Sequence, residues 1–457
     1  MAGPASSCRN AMQRRLQTRS TVFSRNRIWP TGCGAPVGRS SRIGRRRAWP
    51  NPTSPPSSTR SGSGAVIRKH RHDRRIAGPL RPYERGATAM ARRVLIYRQG
   101  SLGDTLVALP CFHLIEKAFP RAERRLLTNI PINGFVAPAE ALLKPGGFIH
   151  GTIEYPIETR DPKALWSLWA SIRAWRPDVL VYLVDQRRRS QVLRDAAFFR
   201  LCGIRRLIGV HLRTPSTPQS NPATGLWPSI TEHLADGLRE LGDARIGDET
   251  SWSLRLLDSE HQTAARALAP LGTDHPFVAF SIGTKWQPND YGDGNWSAAL
   301  AEIGRRFHSL GLVMIGAGNE VERSDAIAAH WPGPTVNLCG RLSPRESAAV
   351  LQRSQLFLGH DSGPMHLAAS VGTRCVAVFS SRNLPGVWFP RGNGHRIFYR
   401  QIACAGCGLR VCVEQAKRCI SSIPHGDVAE AAVGILSQTR IGLDLKRENH
   451  GQLDVGA

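Results

Sequence analysis

The chain has 457 residues and a formal net charge of +26, from 61 lysines and arginines against 35 aspartates and glutamates. The first 92 residues carry a net charge of +18 and the remainder only +8, so the basicity belongs mainly to one segment. No stretch approaches the roughly 18 apolar residues of a membrane-spanning helix, and no apolar signal segment follows the basic N-terminus. We therefore do not expect an integral membrane protein. Ten cysteines over this length are also too few for a fold that depends on disulfide bonds.

Residues 1–89 are rich in Arg, Ser, Pro and Gly and have no apolar periodicity, so we expect a disordered tail there. Three interpretations of this tail compete. The first is a basic arm that binds nucleic acid or acidic lipid, and the second is a transit peptide. The third is that these residues lie upstream of the true translation start. We favour the third, because Met90 stands immediately before the first predicted strand.

From residue 93 onward, short apolar runs alternate with stretches of helical periodicity. The first run, 94–97, predicts a buried strand, and a Gly-containing loop separates it from one predicted helix that begins near Asp104. Further strands are predicted at 125–128, 178–184 and 207–210, and further helices at 162–175, 191–202 and 231–241. A long loop is predicted at 211–230, which contains four prolines.

A second run of the same kind begins near Trp252. It predicts helices at 261–271, 296–310, 344–353 and 364–371, and strands at 277–281, 312–315, 356–359 and 375–379. Such alternation predicts parallel sheets, with ligands at the carboxyl ends of the strands. We therefore predict an α/β fold of two Rossmann-like domains facing a cleft, at 90–250 and 251–440, with a tail at 441–457.

The loop after the first predicted strand, 100–105, contains Gly100, Gly103 and Asp104. Two glycines let a ligand approach the backbone, and the following helix offers free N–H groups. Asp104 suits the first turn of a helix, but it is also placed to be a general base in the cleft. The residues alone leave both roles open.

The segment 359–366 also joins a predicted strand to a helix. Ser362 is able to cap that helix and Pro364 suits its first turn, so the amides of Ser362 and Gly363 would face a phosphate. A cap alone, however, requires neither Gly363 nor His366. In segment 281–286, hydroxyls, a glycine and Lys285 at a strand end predict a diphosphate site, although a single lysine is more often solvated.

Two further clusters are open to interpretation. Cys404, Cys407, Cys412 and Cys419 have the spacing C-x2-C-x4-C-x6-C, which predicts either a structural zinc site or four reduced thiols. The arginines at 187–189 follow a predicted strand, so they either form a solvated face or contact an anionic acceptor.

Three segments together resemble glycosyltransferase family 9, the heptosyltransferase-like enzymes of lipopolysaccharide core assembly. They are 94–104, 281–285 with Asn295 and Trp296, and 356–369, which is the strongest match. The resemblance spans about residues 93–440 and excludes the tail.

The resemblance implies a GT-B fold with an N-terminal acceptor domain and a C-terminal nucleotide-sugar domain. It implies inversion at the anomeric carbon with no cofactor and no metal, and the sequence contains no Asp-x-Asp pair. ADP-heptose is the expected donor. An anionic lipid-linked or oligosaccharide acceptor is expected at the cytoplasmic face of the inner membrane, with peripheral membrane contact and no nucleic acid.

The resemblance also implies roles for individual residues. Asp104 would be the catalytic base, and Lys285 would neutralise the leaving group. Glu320 or Glu322 would reach the ribose, and Leu342 would line the base pocket. The other donor-binding residues would be Ser281, Thr284, Asp361, Ser362, Gly363 and His366, and the acceptor-binding residues would be Ser101, Gly103, Arg187 and Arg188.

One departure from the family pattern leaves the donor open, because Ser281 and Thr284 flank Ile282-Gly283 in place of a hydroxyl pair. A transferase of another nucleotide sugar and a GT-B-like nucleotide-sugar epimerase are therefore alternatives. Nucleic-acid binding through the tail is the alternative that is not an enzyme.

Overall fold

The computed structural model describes residues 91–130, 138–156, 161–185, 188–211, 219–272 and 274–451, with side chains to residue 438. The predicted tail at 1–89 lies outside the described residues. No helix in these described ranges is long and apolar enough to cross a membrane.

The first sheet has five parallel strands in the order β3-β2-β1-β4-β5. The strands are β1 (Arg93–Tyr97), β2 (Glu123–Asn129), β3 (Gly151–Tyr155), β4 (Val179–Tyr182) and β5 (Arg206–Ile208). The helices of this half are α1 (Leu102–Leu106), α2 (Leu109–Ala118), α3 (Ala139–Leu143), α4 (Pro162–Trp175), α5 (Arg189–Leu201) and α6 (Ile230–Gly237). The central strand β1 is buried from Val94 to Tyr97, because helices cover both faces of a parallel sheet.

The second sheet has six parallel strands in the order β11-β10-β9-β6-β7-β8. The strands are β6 (Phe277–Ser281), β7 (Gly311–Met314), β8 (Thr335–Asn337), β9 (Leu356–His360), β10 (Cys375–Phe379) and β11 (Arg396–Tyr399). The helices are α7 (Asp258–Leu268), α8 (Asp293–Arg306), α9 (Val321–Ala328), α10 (Pro344–Gln352), α11 (Gly363–Ser370), α12 (Arg418–Ser421) and α13 (His425–Gly451). The domain boundaries stay predictions, and α13 runs past residue 440.

The single helix predicted to begin near Asp104 is two helices, α1 and α2, with a turn at Val107 and Ala108. Pro110 explains the break. A proline inside a helix removes one hydrogen bond and clashes with the preceding turn, whereas in the first turn of α2 it is well accommodated. The break leaves α1 as a short helix directly behind the β1 loop.

Arg345 on α10 fixes the junction between the two sheets. Its side chain is 1% exposed, and its Nε lies 2.5 Å from Oε1 of Glu260 on α7. The same guanidinium donates to the carbonyl oxygens of Leu142 at 3.1 Å, Leu254 at 2.8 Å and Arg255 at 2.7 Å. One buried side chain thus ties α3 of the first half to the connecting segment and to the second half.

Candidate active site

The loop between β1 and α1 holds the predicted base, Asp104, in place. The backbone N–H and the hydroxyl of Ser101 donate to Oδ2 of Asp104 at 2.6 and 2.9 Å. Oδ1 accepts no hydrogen bond from the described residues. Gly100 has a φ of +128°, and a methyl group there would lie only 2.3 Å from Cβ of Asp104. The loop therefore requires glycine at this position and leaves one carboxylate oxygen available.

Arg98, the residue directly after β1, stabilises this loop by hydrogen bonds to backbone carbonyl oxygens. Its Nε donates to the carbonyl oxygen of Asp104 at 3.1 Å, and its Nη1 donates to that of Leu183 at 3.3 Å. Burial lowers the pKa of Arg98, and the nearby Asp104 carboxylate opposes that shift. We did not predict Arg98 from the sequence, although a cation directly after a buried strand was a signal for it.

The loop between β9 and α11 places Ser362 and Gly363 at a helix N-terminus. Ser362 is the N-cap residue, but its hydroxyl donates to the carbonyl oxygen of His360 at 3.4 Å and makes no capping bond. The capping interpretation of Ser362 is therefore wrong. The first turn of α11 therefore receives no hydrogen bond from the Ser362 side chain, which suits an anion site at this helix N-terminus.

His366 follows on the first turns of α11 and is nearly buried. Its Nε2 lies 3.8 Å from Oδ1 of Asp361, and its ring packs edge-on against Trp388 at 6.0 Å between centroids. The Asp361 carboxylate also accepts from the side-chain amide of Asn383 at 3.5 Å.

Two glycines bring the Asp104 loop and the α11 loop into direct contact. A methyl group on Gly103 would lie 3.2 Å from Cδ2 of His366, and one on Gly363 would lie 3.0 Å from Cδ2 of Leu102. A side chain at either position would push α1 and α11 apart. The structure therefore places Gly103, the residue before the predicted base, against two of the predicted donor-binding residues, Gly363 and His366.

The loop after β6 is the third part of the site. Ser281 is buried and its hydroxyl has no hydrogen-bond partner among the described residues, whereas the hydroxyl of Thr284 bonds the backbone of Trp286 in a turn. Lys285 is exposed, and its Nζ lies 5.2 Å from the centroid of the Trp286 ring.

Glu320 and Glu322 are separated by the structure. Oε2 of Glu320 accepts from the N–H of Ala317 at 3.0 Å, and a methyl group on Gly283 would lie 2.6 Å from Oε1. Burial raises the pKa of Glu320. Glu322 is exposed on α9, so only Glu320 lies against the β6 loop. Leu342 is partly buried and packs against the core.

His360 lies in the strongest sequence motif but has a structural role. Its Nε2 accepts from the N–H of Tyr291 at 3.0 Å and from the indole of Trp296 at 2.9 Å. Burial lowers its pKa to about 4, so the ring is neutral at neutral pH. His360 therefore fixes the loop before α8 to strand β9, which carries the α11 loop of the site.

Arg188 makes no contact with these loops in the described part of the chain. Arg188 is exposed and its N–H donates to Oε1 of Gln191 at the start of α5, while Arg187 lies outside the described residues. The described residues contain no group of three or more side chains placed to hold a metal, so the structure does not bring the four thiols together as a zinc site would require. Cys419 packs in the core and Cys407 is exposed.

A cavity of about 1470 Å³ opens beside α11. His366, Trp227, Trp252 and Arg391 are among the described residues that line it, and Asp104 and Lys285 are not. His366 is therefore shared by this cavity and the loops described above.

Comparison with known proteins finds relatives of this chain in one family. The sequence profile of glycosyltransferase family 9 (heptosyltransferase) matches residues 241–417. Lipopolysaccharide heptosyltransferase 3 of Escherichia coli is 24% identical over 363 residues, which is 75% of this chain and 99% of that protein. Lipooligosaccharide heptosyltransferase 2 of Campylobacter jejuni is 24% identical over 171 residues, 36% of this chain, and the match spans about half (51%) of that relative.

Two solved structures show the fold. The glycosyl transferase family 9 protein from Veillonella parvula has a TM-score of 0.57 at 15% identity, covering 76% of this chain and 98% of that one. The E. coli ADP-heptose lipopolysaccharide heptosyltransferase II has a TM-score of 0.52 at 14% identity, covering 76% and 99%. These matches support a heptosyltransferase-like protein of glycosyltransferase family 9, and the two solved structures show that the chain has their GT-B fold.

Proposed function

We propose that this protein is an inverting glycosyltransferase that moves a sugar from a nucleotide diphosphate to a lipopolysaccharide-core or related glycan. Heptose carried by ADP is the donor we expect. The observation that carries the proposal is the contact of α1 with α11 through Gly103 and Gly363, which puts a carboxylate from one half beside a helix N-terminus from the other.

Asp104 is the proposed base. A sugar hydroxyl is a poor nucleophile at neutral pH, so a base within hydrogen-bond reach must take its proton as the bond to the anomeric carbon forms. Ser101 fixes Oδ2 of Asp104, which leaves Oδ1 to face the acceptor. Ser101 and Gly103 would contact the acceptor, with Arg187 and Arg188 beyond them.

The second half would hold the donor. The N–H of Gly363, the ring of His366 and the ammonium of Lys285 would stabilise the departing diphosphate, in a reaction that we propose needs no metal or other cofactor. Ser281, Thr284, Asp361 and Ser362 would line the phosphates. Glu320 would accept from the ribose hydroxyls, and Leu342 would contact the base.

Donor affinity tests this assignment. Lys285→Ala and His366→Ala should each weaken the binding of ADP-heptose by about 10-fold or more, since a hydrogen bond to a charged group contributes about 1.5–3 kcal/mol. Glu320→Ala should weaken it too, whereas Glu322→Ala, on an exposed side chain two residues away, is the matched control. Titration calorimetry measures all four variants. Wild-type affinity in both Lys285→Ala and His366→Ala would place the donor elsewhere.

We further propose that the protein works at the cytoplasmic face of the inner membrane, docked by the exposed surface of α4 and α5. Trp166 is 67% exposed and stacks on Trp169 at 4.7 Å, while Leu193 and Leu201 are 53% and 71% exposed. The indole N–H of Trp169 donates to the carbonyl oxygen of Leu201, which joins the two helices. Apolar side chains among exposed arginines suit an anionic lipid surface.

Trp166→Ala should weaken binding to vesicles that contain phosphatidylglycerol by about 5- to 10-fold, because a large apolar side chain no longer enters the interface. Vesicle co-sedimentation measures this, with pure phosphatidylcholine as the uncharged reference. Val413→Ala, at a site that is 79% exposed on the other half, is the control. Equal binding by wild type and Trp166→Ala would exclude this surface.

A further inference from the structure

Three cations surround one aromatic ring beside the β6 loop. The side chains of Lys285, Arg382 and Arg410 each lie 5.2 Å from the centroid of the Trp286 ring. Each contact is favourable because the ring's face is negative, but three positive charges close together repel one another. A bound anion would offset the repulsion among the three positive charges and so stabilise the cluster.

The Cys-rich loop, residues 404–412, brings the third cation to this place. Arg382 donates from Nε to the carbonyl oxygen of Leu409 at 2.7 Å and from Nη2 to that of Gly408 at 3.1 Å. The N–H of Cys412 donates to Oε1 of Gln287 at 3.0 Å, one residue after the tryptophan. The loop is therefore fixed over Trp286 at both ends of the segment that carries Arg410.

No carboxylate in the described part of the chain forms an ion pair with any of the three cations. Lys285 and Arg410 are both exposed and form no ion pair or hydrogen bond with a described residue. Arg382 donates to the two carbonyl oxygens and to the amide oxygen of Asn383. Asp361 is the carboxylate that acts on Arg382 from nearby, and the described residues show no ion pair between them.

We propose that Lys285, Arg382 and Arg410 form a phosphate-binding site on Trp286, completed by the Cys-rich loop. The identity of the bound phosphate rests on the proposed function. The phosphate belongs either to the diphosphate of the donor or to the acceptor glycan. Guanidinium groups bind phosphate through paired N–H donors, and the ammonium adds a point charge. This site gives the Cys-rich loop a role that requires no metal at its thiols.

Arg410→Ala tests the site, because Arg410 makes no hydrogen bond that the loop needs for its structure. Arg418→Ala is the matched control, since Arg418 is an exposed cation at the start of α12 that bonds Gln415 and does not contact Trp286. Titration calorimetry at low salt measures the binding of inorganic pyrophosphate, ADP and glucose 6-phosphate. We expect Arg410→Ala to weaken at least one of these ligands about 10-fold, and Arg418→Ala to stay within about twofold of wild type.

The ligands separate the two sources. Weakening of pyrophosphate and ADP assigns the site to the donor diphosphate, and weakening of glucose 6-phosphate alone assigns it to a phosphorylated acceptor. Equal affinities of wild type and Arg410→Ala for all three ligands, or no binding of any by wild type, would overturn the proposal. If wild type binds pyrophosphate through Arg410 but binds no nucleotide sugar, the phosphate site stands and the proposed function fails.

Discussion

Replacing Asp104 by Asn is expected to reduce turnover by a factor of about 10²–10⁴, the usual loss when a general base is removed. Asparagine keeps the size of the side chain and an oxygen able to accept from Ser101, so the β1 loop should remain folded. Donor affinity should be unchanged, because the proposed donor contacts belong to the second half. The measurement is steady-state transfer together with calorimetric donor binding.

Ser101→Ala is the control for the same loop. It removes the hydroxyl that donates to Oδ2 of Asp104 but keeps the backbone N–H and the carboxylate, so turnover should fall by less than about 10-fold. Near-normal turnover in Asp104→Asn would show that Asp104 serves only the first turn of α1. The base would then have to lie elsewhere in the cleft.

Replacing Arg345 by Met is expected to destabilise the protein by about 3–5 kcal/mol, because it leaves a buried charge without its partner. Glu260 would lose its ion pair, and the carbonyl oxygens of Leu142, Leu254 and Arg255 would lose their donor. Urea unfolding followed by circular dichroism measures the free energy of unfolding. A loss below about 1 kcal/mol would mean that the junction does not depend on this side chain.

Two further variants serve as controls for the loss of stability in Arg345→Met. Arg353 stands immediately after the same helix and pairs with Asp274 at the surface, where the two side chains are 39% and 85% exposed. Arg353→Met should therefore lower the free energy of unfolding by less than about 1 kcal/mol. The double variant Arg345→Met with Glu260→Gln should recover part of the loss, because it removes the unpaired carboxylate.

The α/β class and the GT-B fold could be predicted from the sequence and are confirmed, and the family prediction is supported by the profile match over residues 241–417 and by heptosyltransferase relatives. The central strands were predictable because both of their faces are buried, which leaves a continuous apolar run such as that of β6 or β10. The strands that were not predicted, β3, β8 and β11, lie at sheet edges and are half exposed, so their sequences lack that run.

The site could be predicted only where its residues stand in one short loop. Asp104, Gly363 and His366 stood out because each follows a buried strand within a few residues. The contacts of Trp286 with Arg382 and Arg410 join residues about 100 positions apart, and spacing carries no information about them. The cysteine spacing likewise predicted a zinc site without showing which thiols face the core.

The most direct test of the central claim is transfer itself, measured with the purified chain, ADP-heptose and a panel of lipopolysaccharide-core oligosaccharides in the presence of EDTA. We predict that ADP is released only when an acceptor is present, that mass spectrometry finds the acceptor one heptose heavier, and that NMR spectroscopy of the product shows an inverted anomeric bond. Other nucleotide sugars tested in parallel define the donor. If no nucleotide sugar is consumed with any acceptor, or if the donor is converted to an epimer without one, the protein is not the proposed transferase.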